Sequence, residues 1–146
     1  MSGRGGSALY TPEILALAVS LAKYPASATA DFSGGARSQT CGSVVTFTCD
    51  LDADGRIAAP GVRATACAIG QAAAALFIAG AKGRDRAAIE NARAAIARWL
   101  ADDGAVPDWP GMEALAPARD YPGRHGAIPL AWDAALAALP KETPGS

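Results

Sequence analysis

Four side chains in this sequence carry metal or sulfur chemistry. Cys41 lies in Ser38-Gln39-Thr40-Cys41-Gly42-Ser43, Cys67 in Ala66-Cys67-Ala68 and Cys49 in Thr46-Phe47-Thr48-Cys49. The single histidine, His125, lies in Pro122-Gly123-Arg124-His125-Gly126-Ala127. Thiolates gathered on one surface patch hold soft metals and iron–sulfur clusters, and imidazole is a borderline-soft ligand for the same ions. An odd number of cysteines in a chain of 146 residues fits reduced thiols better than a disulfide framework.

The surroundings separate these four. Cys67 precedes a small-residue helical stretch, and the free N–H groups and dipole of a helix N-terminus favour a thiolate. Its other reading is a small buried residue under the helix. Cys41 neighbours Gly42, where a missing side chain lets a metal or a partner approach the backbone; its other reading is structural. Cys49 alternates with Phe47 and Leu51 on one strand face and reads as core. His125, flanked by glycine, is either a ligand or a cap on the following helix.

The elements that must position them follow from pattern. Thr11 and Pro12 open a short amphipathic helix over residues 11–23, with Thr11 as N-cap. Residues 25–35, rich in Ala, Ser and Gly, read as a loop that delivers Cys41 to a strand. Residues 44–51 alternate as a half-buried strand, with Val45, Phe47, Cys49 and Leu51 on one face. Asp52-Ala53-Asp54-Gly55 turns the chain, and residues 56–66 return as one or two strands broken at Pro60-Gly61. Cys67 opens a helix to about residue 79, and residues 84–103 form a longer one. A short helix at 111–115, an irregular segment at 117–126 and a helix over residues 130–139 complete the chain. Strands followed by helices predict an α+β domain, a small antiparallel three-stranded sheet with helices packed on one face and the other face partly open. Cys41 and Cys67, at the two ends of an out-and-back path, then meet at one sheet edge.

Length and charge exclude much else. One domain, residues 9–140 between flexible termini at 1–8 and 141–146, accounts for the 146 residues. With 13 Lys+Arg against 14 Asp+Glu and no long block of either sign, nothing points to nucleic acid or an anionic membrane. The apolar run between Gln71 and Lys82 is too short to span a bilayer, and the polar start is unlike a secretory signal, so the expectation is a cytoplasmic protein. A lone histidine without a nucleophile–orienter set, and a Gly34-Gly35 that makes no phosphate-binding motif, speak against an enzyme.

Cys41-Gly42 before a strand, Cys67 at the next helix start and Pro122-x-Arg124-x-x-Ala127-x-x-Leu130-Ala131-Trp132 together resemble the NifU/IscU/SufU-type iron–sulfur cluster assembly scaffolds. The likeness runs from about Leu9 to Leu139 and includes the opening Leu9-Tyr10-Thr11-Pro12-Glu13. It implies a non-enzymatic scaffold that receives sulfide from a cysteine desulfurase, binds iron or a transient [2Fe–2S]-type cluster, and passes it to apo-proteins. Cys41 and Cys67 match two family thiols. The third falls on Ala127, and the aspartate that follows the family's Cys-Gly falls on Ser43. A Leu-Pro-Pro-Val-Lys chaperone-docking motif, present in one branch, is missing. If residues 122–127 are extended, His125 points to the same side as Ala127 and reaches the space of the lost thiol. A Cys41/Cys67/His125 set would then hold Zn²⁺ with a water, or part of a cluster completed by solvent, a small thiol or a second subunit in a homodimer. Two other expectations are a degenerate scaffold that docks or regulates a desulfurase, and a sulfur acceptor working through Cys67.

Overall fold

A computed structural model describes residues 11–39, 42–101 and 104–141. Thr11 caps helix α1 (Pro12–Ser20): its side chain accepts from the Ile14 N–H, and Pro12 takes the first turn, where no donor is needed. A 3-10 turn, Leu21–Lys23, ends it. Three antiparallel strands follow in sheet order β1 (Phe32–Arg37), β2 (Val44–Leu51) and β3 (Ile57–Thr65). Helices α2 (Ala68–Ala81), α3 (Arg86–Leu100) and α4 (Leu130–Ala138) complete the α+β fold, with 3-10 helices at Met112–Asp120 and Pro122–Ala127 between the last two.

The alternation in β2 decides which face is covered. Val45, Phe47 and Cys49 are buried, as is Val62 opposite Phe47, and they pack with α2 and α4 residues such as Phe77 and Trp132. Phe47, Phe77, Trp109 and Trp132 form an edge-and-stack aromatic cluster with centroids 5.1–5.4 Å apart. Trp109 donates its indole N–H to the Leu76 carbonyl at 2.8 Å, and Arg84 lies over its ring at 4.0 Å. Arg86 reaches across to the last turn of α4 and donates to the carbonyls of Leu136 and Leu139. That contact satisfies acceptors that the helix end leaves open.

Two readings of the sequence are corrected here. Residues 32–35, read as the end of a loop over 25–35, belong to strand β1, paired with β2 from Phe32↔Cys49 to Arg37↔Val44. Of the glycines that suggested a loop, Gly34 serves packing: a Cβ there would lie 2.7 Å from the Ala134 carbonyl oxygen, because α4 presses its backbone onto this strand. Of the one or two strands read over residues 56–66, the structure has one, Ile57–Thr65, which runs through Pro60-Gly61 instead of breaking there. Ala59 and Pro60 fall in a bulge with no partner across the ladder, where proline's missing N–H costs nothing and Ala59 takes a positive φ of 48°.

The face opposite the core is half covered. The chain leaves α1, pairs Pro25 with Val62 at the outer edge of β3, and crosses the sheet to β1. Its backbone at Pro25 and Ala26 lies directly on Gly61, and the Ser27 N–H donates to the Thr48 hydroxyl at 3.0 Å. The Asp31 N–H then donates to Asp50 at 2.9 Å. Among the described residues, this strap does not extend over the end of the sheet nearest Val44 and Thr65.

Candidate metal and cluster site

Cys67 is the N-cap of α2, with extended torsions (φ −67°, ψ 171°) and a side chain that makes no capping hydrogen bond. Its carbonyl accepts from the Gln71 N–H at 2.9 Å, so the backbone starts the helix while the half-buried thiol is uncommitted among the described residues. The sequence places it there by contrast of neighbours. β-branched and extended residues end at Thr65, and the alanine-rich run Ala68–Ala81 favours helix.

The β1–β2 connection arrives at the same end of the sheet. Val44 pairs with both Arg37 and Thr65, and the Ser38 N–H donates to the Ser43 carbonyl at 2.8 Å. Ser38 and Ser43 are buried. Gly42 has φ +73°, a conformation that side chains resist, and open space where a Cβ would stand. Thr40 and Cys41 lie outside the described residues.

The third corner is Ala127. It is buried, and its Cβ lies 3.2 Å from where a Cβ of Gly70 would be, within the first turn of the helix that Cys67 caps. The position that the resemblance matches to a third thiol is therefore brought to the start of α2, carrying a methyl group.

His125 is placed differently. Residues 122–127 form a 3-10 helix, Pro122–Ala127, and not an extended segment. With about three residues per turn, positions two apart point to different sides, which removes the premise that put His125 beside Ala127. The imidazole instead donates from Nε2 to the Arg119 carbonyl at 2.7 Å, since a carbonyl can only accept. Among the described residues no three His, Cys, Asp and Glu side chains gather as a metal-binding group.

Cys49 and Cys67 are free thiols. Cys49 is fully buried on β2, as its alternation foretold, and burial first, then the neighbouring Asp50 charge, push its thiol up to about 11. Among the described residues no helix is long and apolar enough to cross a membrane.

No protein-family model matches the chain, and no curated protein matches it. Solved structures do. A nitrogen-fixing NifU-like protein (N-terminal) from Brucella abortus superposes with a TM-score of 0.80 at 29% identity, covering 88% of this chain and 90% of that one. A putative iron–sulfur cluster assembly scaffold protein for the SUF system, from the thermophile Fervidobacterium islandicum AW-1, superposes with a TM-score of 0.79 at 18% identity, covering 90% and 97%. In its sheet order, its helices and its likeness to the Brucella protein along most of both chains, this chain has the fold of the NifU-like proteins and is similar to the NifU/IscU/SufU-type scaffolds.

Proposed function

We propose that this protein is an iron–sulfur cluster assembly scaffold or carrier, holding iron or a [2Fe–2S]-type cluster as cargo on Cys41 and Cys67. The observation that carries the reading is the half-buried Cys67 thiol at the N-cap of α2, uncommitted among the described residues, at the sheet end where the β1–β2 connection closes. Sulfide comes from a cysteine desulfurase, and the cargo passes to apo-proteins. The work is binding and hand-off rather than enzymatic turnover, and the cytoplasm is its proposed setting.

Ala127 and Ser43 leave two protein thiols where iron–sulfur clusters use four ligands. Solvent, a small thiol or a partner protein supplies the rest, and the cargo is correspondingly labile. His125 fastens the Pro122–Ala127 helix to Arg119. Any part it plays at a metal falls to Nδ1, because Nε2 is committed. The same substitutions support a second reading, in which the fold docks or regulates a desulfurase and holds zinc or no metal.

The test is anaerobic assembly with desulfurase, L-cysteine and ferrous iron, followed by addition of an apo-ferredoxin. The scaffold reading expects thiolate-to-iron absorption on this protein that moves to the ferredoxin. Desulfurase binding without such absorption would favour the second reading.

A further inference from the structure

The corner between β3 and α2 is made by Ala66 and Cys67 alone, because the strand ends at Thr65 and the helix begins at Ala68. Backbone polar groups at such a corner need partners that neither ladder supplies. The Ala66 carbonyl lies past the strand pairing, which ends at Val44↔Thr65, and ahead of the helical ladder, which the Cys67 carbonyl opens. One residue serves both carbonyls. Gln71 donates its backbone N–H to Cys67 at 2.9 Å and its side-chain Nε2 to Ala66 at 3.1 Å. A carbonyl only accepts, which sets the amide nitrogen of Gln71, and not its oxygen, against Ala66.

These two bonds hold the peptide planes on either side of the Cys67 Cα. With both planes tied to one residue, Cys67 is kept at φ −67° and ψ 171°, and the direction of its Cα–Cβ bond is kept with them. Packing wedges the same corner. A Cβ on Gly70 would stand 2.8 Å from the Ala66 Cβ and 3.2 Å from that of Ala127, so both alanines rest on the step in α2 where no side chain grows. An N-cap side chain ordinarily turns in to accept from the second or third helical N–H. Cys67 makes no such bond.

We propose that Gln71 is the positioning residue of Cys67: by tying the Ala66 carbonyl, its side-chain amide aims the thiol for cargo. Gln71 acts through that carbonyl and not as a ligand. Its service to cargo rests on the scaffold reading above, whereas its hold on the direction of the thiol is measured without metal.

The experiment reads, by NMR of the full reduced chain free of metal, the three-bond couplings of Cys67 that report φ and χ1. Gln71→Met keeps the reach of the side chain and loses the donor. Gln71→Glu keeps the shape and, as a carboxylate, only accepts, while Gln71→Lys regains a donor. The expected result is one staggered conformer in the parent and in Gln71→Lys, and averaged couplings in Gln71→Met and Gln71→Glu. Thr11→Ala, which takes a capping hydrogen bond from α1 instead, should leave the Cys67 couplings at parent values, so a general loss of stability is not their cause. After anaerobic reconstitution with ferrous iron and sulfide, the cluster should leave Gln71→Met about tenfold faster than the parent, the scale on which residues that orient a ligand act. Parent-like couplings in both Gln71→Met and Gln71→Glu would overturn the proposal, as would equal cluster lifetimes on the parent and Gln71→Met. The expected couplings with no cluster on the parent would retire the scaffold reading and keep the role of Gln71 in aiming the thiol.

Discussion

Ala127 stands against Gly70, its Cβ 3.2 Å from the point where a Gly70 side chain would begin, one turn into the helix that Cys67 caps. This contact joins Ala127, the position matched by resemblance to a third scaffold thiol, to the helix that Cys67 opens. A cysteine at 127 would add its sulfur at the start of α2, beside a residue with no side chain of its own.

Ala127→Cys is therefore expected to lengthen the lifetime of a reconstituted cluster several-fold. Adding one heavy atom at a buried position should cost about 1 kcal/mol by overpacking. Absorbance decay under air, with thermal unfolding alongside, checks both. An unchanged lifetime would mean that the third corner is not part of the cargo site.

Cys49 and Cys67 should separate cleanly in reactivity. A native-state thiol titration is expected to modify Cys67 and spare the fully buried Cys49. The raised Cys49 value also sets a pH dependence. Folding favours the neutral thiol, so this contribution is complete below the ordinary value of 9.0 and declines as pH rises toward about 11. The total is roughly 3 kcal/mol. Denaturant midpoints from neutral to strongly alkaline pH should fall for the parent and fall less for Cys49→Ala.

Gly34→Ala should destabilise by about 2 kcal/mol or more, because the new methyl group meets the backbone of α4 and not a side chain that can turn aside. Chemical denaturation measures it. A change within about 0.5 kcal/mol, the scale of a neutral surface substitution, would mean that α4 does not press on β1 as described.

Arg86→Ala should cost about 2 kcal/mol. It removes charge-assisted hydrogen bonds to the Leu136 and Leu139 carbonyls and leaves the α4 end open. Arg86→Lys should recover only part of that loss, since both carbonyls accept from Nη1 while Nε holds Glu90, and a single ammonium cannot keep both sets of contacts. Thermal unfolding of the two variants tests the difference.

These residues also show where the sequence could and could not be read. Thr11 as N-cap, the inward Val45, Phe47 and Cys49, and Cys67 at a helix start were legible, because capping and period-two burial are local effects. Strand β1 was not. Phe32-Ser33-Gly34-Gly35-Ala36-Arg37 has poor intrinsic strand propensity, and what makes Gly34 correct there is a helix that arrives a hundred residues later. Pro60-Gly61 looked like a break for the same reason: Pro60 lies in a bulge, and Gly61 makes room for the strap. At the site, the Ala127 position followed from the family pattern. The direction of His125 depended on a 3-10 turn and the Arg119 carbonyl, which no spacing announced.

The most direct measurement is iron, zinc and acid-labile sulfide content, with the visible spectrum, after anaerobic reconstitution of the parent, Cys41→Ser and Cys67→Ser proteins. The account predicts iron and sulfide in equal amounts with thiolate-to-iron bands in the parent, and loss of both in either variant. Zinc alone, no metal, or a parent-like cluster in both variants would contradict it.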